Sequence, residues 1–170
     1  GGSLGARTLN QAMLNRVEST QPIENQFIWQ CGKYYFDELK NRVDTQKKSE
    51  IRLLSFISRM DAAYCAADVI ISRAGALSIS ELCLMGKPVI LVPSPNVSED
   101  HQTKNAMSLV RSDAALMVRD VDCDKDLIQK VEALLLDKEL CGDLSNNIKA
   151  MAKPNATSDI VNETEKLILK

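Results

Sequence analysis

The chain has 170 residues, of which 45% are hydrophobic, 26% charged and 4% aromatic, and its 21 basic and 23 acidic side chains leave a net charge of −2. This is the composition of one globular domain, long enough to bury roughly 70% of its unfolded surface. A near-neutral, aromatic-poor chain has neither the charge to attract polyanions nor a stacking platform for single strands, so no nucleic-acid partner is expected; nor does any apolar stretch approach the roughly 18 residues of a membrane span.

The opening Gly1-Gly2-Ser3-Leu4-Gly5-Ala6 reads as a glycine turn leading into a helix over Ala6–Val17, with Leu9, Met13 and Val17 on one face. Pro22 ends that segment. Phe27–Trp29 reads as a strand closing at Cys31-Gly32, Tyr34–Val43 as a helix and Asp44–Glu50 as a polar loop. Ile51–Phe56 is a predicted strand, Met60–Ala67 a short helix and Val69–Ser72 a fully apolar strand. Leu77–Met85 is a predicted helix with Ile79, Leu82 and Cys83 inward, ended by Gly86 as a left-handed cap and by Pro88. Val89–Val92 is the next strand, followed by a Pro93–Asp100 loop, a His101–Arg111 helix and an Ala115–Val118 strand. Helices over Lys125–Leu136, Lys138–Met151 and Ser158–Leu169 complete the chain.

Strands alternating with helices, each strand a continuous apolar run, predict a parallel sheet covered on both faces: an α/β, Rossmann-like, doubly wound domain. A nucleotide-binding turn ordinarily hangs off the end of a strand, and none precedes Gly1. The expectation is a single domain over residues 1–170, a piece of a longer protein whose first strand is missing. The five cysteines, Cys31, Cys65, Cys83, Cys123 and Cys141, are odd in number and form no CxxC pair. They read as buried free thiols in a reducing cytosol rather than a metal or disulfide framework.

The segment with most chemistry is Arg73–Glu81, RAGALSISE, directly after the apolar run. Strand, glycine turn and helix start together present free backbone N–H groups and the positive end of a helix dipole, where a phosphate sits well. Two readings of Ser78 and Glu81 stand side by side. Ser78 as N-cap and Glu81 three residues on make a capping box. Alternatively Glu81, one turn in and tilted back toward the helix start, accepts two hydrogen bonds from a ribose diol while Leu77 and Ser78 give their N–H groups to phosphate. Two glycine turns in one small α/β domain point to a diphosphate, hence a nucleotide. The GxGxxG fingerprint and the Walker pattern are both absent, which disfavours a nicotinamide cofactor and a P-loop ATPase.

Glu99–Asn105 follows a buried strand, so it is expected at the same sheet edge, either reading sugar hydroxyls or forming a solvated loop capped by Asp100. His101, the only histidine, has no partnered Ser or Cys motif that would make it a catalytic base. Asp120–Asp126 resembles a calcium loop but carries Lys125 where the sharp turn needs glycine and Val131 where glutamate is required. No metal is expected there.

Taken together, these residues resemble the C-terminal half of the MurG family. The matching pieces are GGSLGA with Asn10 following, Phe56-Ile57 before a short helix, AAYCAADVIISRAGALSISE, and GKPVILVPSPNVSEDHQTKNA, in family order over about three quarters of the chain. The resemblance implies the C-terminal, donor-binding domain of a two-domain GT-B glycosyltransferase. Such an enzyme moves N-acetylglucosamine from UDP-N-acetylglucosamine (UDP-GlcNAc) to undecaprenyl-diphosphate-muramoyl-pentapeptide, converting lipid I to lipid II in peptidoglycan synthesis. It implies an inverting displacement with no cofactor, and a peripheral place on the cytoplasmic side of the bacterial inner membrane, touching membrane only in the full-length protein.

Carried over residue by residue, Ser3 lies near the donor diphosphate and Ile57 holds the uracil edge through its backbone. Ala76, Leu77 and Ser78 surround the phosphates, with Ile79 and Ser80 in the same donor segment. Glu81 sits on the ribose, Gln102 on the sugar, and Asn105 close by. Where the family commonly has two successive glutamines, this chain has His101-Gln102, and the preceding loop is one residue longer and contains Pro95. In the family the acceptor pocket and base belong largely to the N-terminal half, so no catalytic residue is assigned here and the isolated chain is expected to bind donor weakly and transfer nothing. Two alternatives remain open: a donor-binding subunit that works with a separate membrane-anchored partner, and a related GT-B enzyme such as a UDP-GlcNAc epimerase.

Overall fold

The computed structural model describes residues 5–46, 48–95 and 100–168. The chain begins with α1 (Arg7–Glu18) and β1 (Phe27–Gln30), then a single 3-10 turn at Lys33–Tyr35 leads into α2 (Phe36–Gln46). β2 (Ile51–Leu54), α3 (Met60–Ala66), β3 (Ile70–Ser72) and α4 (Ala76–Met85) follow. β4 (Val89–Leu91), α5 (His101–Val110) and β5 (Leu116–Met117) come next. After β5 the chain makes a 3-10 turn (Asp120–Asp122) and a wider π turn (Cys123–Leu127) before α6 (Ile128–Leu136), α7 (Lys138–Ala150) and α8 (Ala156–Ile168).

Each described strand from β1 to β4 is joined to the next through a helix, and every described strand pair is parallel, as the alternating pattern predicts. The strands form two sheets rather than one. β1 pairs with β2, Trp29 beside Leu53. β3, β4 and β5 lie in that order, Ile71 beside Ile90 and Leu91 beside Met117. Among the described residues β1 and β3 share no ladder, so each forms one edge of its sheet.

The side-chain period of two along β4 builds a core on each face of the larger sheet. Ile90 and Val92 face α1, the π turn and α6, packing with Leu9, Ala12, Leu127 and Leu134. Val89 and Leu91 face the other way, onto Leu82 and Cys83 of α4, Leu109 of α5 and Ile148 of α7. α1 also supplies Met13, Leu14 and Val17 to a third cluster with Trp29, Leu39, Val43 and Ile51. One helix thus cements the two sheets, using one part of its surface for each.

Several boundaries differ from expectation for local reasons. α2 continues through Gln46 into the polar run, with Asp37 and Glu38 in its first turn, where a helix dipole favours them. α6 starts at Ile128, because the aspartate-rich stretch forms the two tighter and wider turns first. Gly86 is left-handed (φ 61°) and its N–H returns to the Leu82 carbonyl, as the cap reading predicts. α8 buries none of its residues and leaves Ile160, Val161, Leu167 and Ile168 exposed. Among the described residues no helix is long and apolar enough to cross a membrane.

Candidate functional site

The turn between β3 and α4 is built by its neighbours more than by itself. Ala74 is fully buried. Its N–H donates to Gln102 Oε1 at 3.2 Å, and its carbonyl accepts from Asn105 Nδ2 at 3.1 Å. The Ser94 N–H, in the loop after β4, also donates to Gln102 Oε1, at 2.9 Å. Two side chains of α5 therefore clamp one residue of the turn through the peptide groups on both its sides. Only the carbonyl end of an amide accepts N–H groups, so the double acceptance fixes the orientation of Gln102 and makes Nε2 its outward donor end.

α4 starts one residue earlier than predicted. Its N-cap is Gly75 (φ −67°, ψ 148°), and no side chain caps it. The capping-box reading of Ser78 and Glu81 is therefore corrected: Ser78 lies inside the first turn, third in the helix, where it cannot cap. The first backbone bond runs from Ile79 N–H to the Gly75 carbonyl at 2.9 Å. The N–H groups of Ala76, Leu77 and Ser78 precede it and have no acceptor within the helix. They carry the positive end of the α4 dipole. Gly75 is not demanded by its own backbone, since that φ suits any residue and an added Cβ would meet only Ser78 Oγ, at 3.7 Å. A glycine the fold does not require leaves the turn open to close approach from outside.

Glu81 lies at the start of the second turn, exposed, with the Tyr64 hydroxyl of α3 donating to its Oε2 at 3.4 Å. Burial raises the Tyr64 hydroxyl above its ordinary pKa, and the neighbouring Glu81 charge adds to the rise. Tyr64 is a neighbour that sequence reasoning missed, because nothing in AAYCAAD marks it. Leu77 is 83% exposed beside the open N–H groups. Ser80 Oγ bonds back to the Ala76 carbonyl at 3.1 Å. Ile79 and Ser80 line a groove of about 330 Å³ with Cys83, Asn105 and Met151, between α4, α5 and the end of α7.

Ile57 sits past the end of β2, and its N–H donates to Gln30 Oε1 at 2.9 Å. That N–H is thus already held by a side chain from β1. Arg73 turns inward: its Nη1 donates to the Val92 and Pro93 carbonyls at 3.1 and 3.2 Å and pairs with Asp120. It supports the turn from below. Ser3 lies outside the described residues, as does Glu99. His101 is exposed at the start of α5.

The aspartates after β5 serve as ties between elements. Asp120 holds Arg73 and Thr8, Asp122 holds Arg119, and Asp124 accepts from Asn15. Among the described residues no group of three or more His, Cys, Asp or Glu is arranged to hold a metal ion. All five cysteines are free: Cys31, Cys83 and Cys123 are buried as expected, Cys141 is half-buried, and Cys65 is exposed on the short α3. Burial pushes the Cys123 thiol up to about 11, with the Asp120 charge next in effect.

Residues 1–163 match the family model described as the glycosyltransferase family 28 C-terminal domain. A Flavobacterium psychrophilum protein named UDP-N-acetylglucosamine--N-acetylmuramyl-(pentapeptide) pyrophosphoryl-undecaprenol N-acetylglucosamine transferase is 49% identical over 168 residues, covering 99% of this chain and 45% of its own. A Parabacteroides distasonis protein of the same name is 48% identical over 170 residues, 100% of this chain and 46% of its own. Among solved structures, the crystal structure of Acinetobacter baumannii MurG matches with a TM-score of 0.82 and 30% identity, over 98% of this chain and 48% of that one. The chain spans about half the length of the curated relatives it matches.

Proposed function

The chain belongs to the family of glycosyltransferase family 28 C-terminal domains, and on that premise we propose that it is the donor-binding domain of a two-domain transferase that moves N-acetylglucosamine from UDP-GlcNAc onto undecaprenyl-diphosphate-muramoyl-pentapeptide. The observation that carries this reading is the β3–α4 turn: three N–H groups without helical acceptors, a glycine the backbone does not need, and the Glu81 carboxylate one turn in. Such a turn is complementary to a diphosphate joined to a ribose. The names and lengths of the relatives support the sugar, the acceptor and a second domain. Among the described residues β1 and β3 are edge strands, which supports a further strand that would join the two sheets.

In this reading the diphosphate accepts from the N–H groups of Leu77 and Ser78, and Glu81 accepts from the ribose diol. Ile57 faces the uracil, Ser3 approaches the diphosphate, and Gln102 Nε2 donates to the sugar while its Oε1 stays on Ala74 and Ser94. Inverting displacement at the anomeric carbon builds negative charge on the departing UDP. The fixed dipole of α4 stabilises that charge without reorganising. The acceptor hydroxyl loses its proton to a base in the other domain, which also reaches the cytoplasmic face of the membrane.

The direct test is transfer of labelled N-acetylglucosamine to a lipid I analogue. Full-length protein is expected to form the product, and the 170-residue chain alone to form none. A full-length protein that epimerises UDP-GlcNAc or leaves lipid I unchanged overturns the reading.

Gln102 gives a finer test. Gln102→Glu keeps an acceptor for both N–H groups but deletes the donor, so it is expected to cost UDP-GlcNAc about tenfold more affinity than it costs UDP, the effect of one hydrogen bond. Gln102→Leu also orphans the Ala74 and Ser94 N–H groups and is expected to lower stability by about 2 kcal/mol. Paired calorimetric and urea titrations check both.

A further inference from the structure

Asp120 follows β5, yet its carboxylate joins a residue of α1 to the residue that opens the β3–α4 turn. One carboxylate oxygen, Oδ2, accepts from Thr8 Oγ1 at 2.8 Å. The other, Oδ1, is paired with Arg73 Nη1. Both charged side chains are largely withdrawn from solvent, with 17% of Arg73 and 16% of Asp120 exposed. Thr8 is the second residue of α1, whose N-cap is Ala6. Arg73 is the first residue after β3, and its guanidinium also grips the Val92 and Pro93 carbonyls at the end of β4.

These two anchor points lie on elements far apart in the chain. α1 lays Leu9 and Ala12 against Ile90 of β4 and Val92 just after it, and its far end onto the cluster around Trp29 and Ile51, whereas Arg73 follows β3 of the larger sheet. Among the described residues no strand ladder fixes β1 against β3. Apolar packing against β4 carries the amino end of α1, and Asp120 adds the polar tie there, giving one oxygen to Thr8 and one to Arg73. A carboxylate is a rigid, planar two-point connector, and its partners here are a neutral hydroxyl and a guanidinium that is itself bonded to two carbonyls.

We propose that Asp120 is a positioning residue for donor binding: through Thr8 and Arg73 it sets the spacing of the two helix starts between which the diphosphate lies. The inference rests on the donor-binding reading above. It assigns to Asp120 no contact with substrate. Loosening the strut changes the fit of the diphosphate and leaves the nucleoside contacts alone.

The test uses full-length protein and three ligands: uridine, UDP and UDP-GlcNAc. Thr8→Val removes the hydroxyl, keeps the side-chain shape and leaves the Arg73–Asp120 pair intact, so the fold persists. The expected result is a loss of about fivefold to tenfold in affinity for UDP and UDP-GlcNAc with uridine affinity unchanged. In turnover the donor KM rises while kcat stays within about twofold. Thr8→Ser, which restores the hydroxyl, recovers wild-type affinity. Asp120→Asn, which keeps two-sided hydrogen bonding, loses less than Asp120→Ala. Unchanged UDP affinity in Thr8→Val overturns the strut, and so does a parallel loss of uridine, the mark of general loosening. Wild-type protein that binds no UDP overturns the donor reading and the strut with it.

Discussion

Replacing Glu81 with alanine in the full-length protein is expected to weaken UDP-GlcNAc binding about a hundredfold. Glu81 is exposed at the start of the second turn of α4, and its hydroxyl neighbour Tyr64 is at 3.4 Å, a long contact. Little of the fold depends on it, and stability should change by less than about 0.5 kcal/mol. Two ribose hydroxyls bonded to an ionised carboxylate are worth about 3 kcal/mol together, which is the hundredfold. Glu81→Gln keeps an acceptor without the charge and should fall between, near tenfold. A ligand lacking the 2′-hydroxyl sharpens the comparison: wild type should prefer UDP over its 2′-deoxy analogue, and Glu81→Ala should not distinguish them. Isothermal titration calorimetry reads each of these affinities. If Glu81→Ala binds as wild type does, the carboxylate is not on the ribose.

The largest effect on stability is expected at Asn10. It is buried as the fourth residue of α1, where its Nδ2 donates to the Cys31 carbonyl at 2.9 Å and its Oδ1 accepts from the Trp29 indole at 3.0 Å. One amide thus satisfies both a donor and an acceptor at the end of β1. Asn10→Ala strands both, each at a cost of about 1–3 kcal/mol, so about 3 kcal/mol in total is expected. That is a large part of the 5–15 kcal/mol of a typical domain. Asn10→Asp should be no better, because a carboxylate accepts from Trp29 but repels the Cys31 carbonyl. Urea unfolding monitored through the single tryptophan measures both; a loss below about 1 kcal/mol would mean that water replaces the amide without penalty.

How much of this was legible in the sequence depended on how local the cause was. β3 and α4 were readable because an apolar run, a glycine and a 3.6-residue apolar period lie within seventeen residues of one another. Gly86 was readable because a left-handed cap needs glycine wherever it occurs. The start of α4 departs from its local pattern for a physical reason: Ser78-Ile79-Ser80-Glu81 satisfies the capping pattern, but Gly75 already starts the helix with its backbone alone, and the serine is carried inside. The parallel layering followed from the alternation of elements, whereas the division into two sheets did not, since pairing of β1 with β3 is a tertiary matter.

The supports of the site were invisible for the same reason. Asp120 reaches Thr8 across 112 positions and Arg73 across 47. Gln102 reaches Ala74 across 28. A side chain that serves a turn so far away in sequence carries no periodicity or spacing to betray it. Arg73 shows the consequence most plainly. Beside a phosphate turn its charge invites assignment to the ligand, and the fold turns it inward to Asp120 and two carbonyls. Cys65 likewise sits in an apolar-looking run yet is exposed, because α3 is only seven residues long and buries none of them.

The most direct measurement is a crystal structure of the full-length protein with UDP-GlcNAc bound. The account predicts diphosphate oxygens within hydrogen-bonding distance of the Leu77 and Ser78 N–H groups, the ribose diol on Glu81, and the sugar against Gln102 Nε2. A donor bound elsewhere, or one whose ribose leaves Glu81 in solvent while the α4 amino end stays empty, would contradict it.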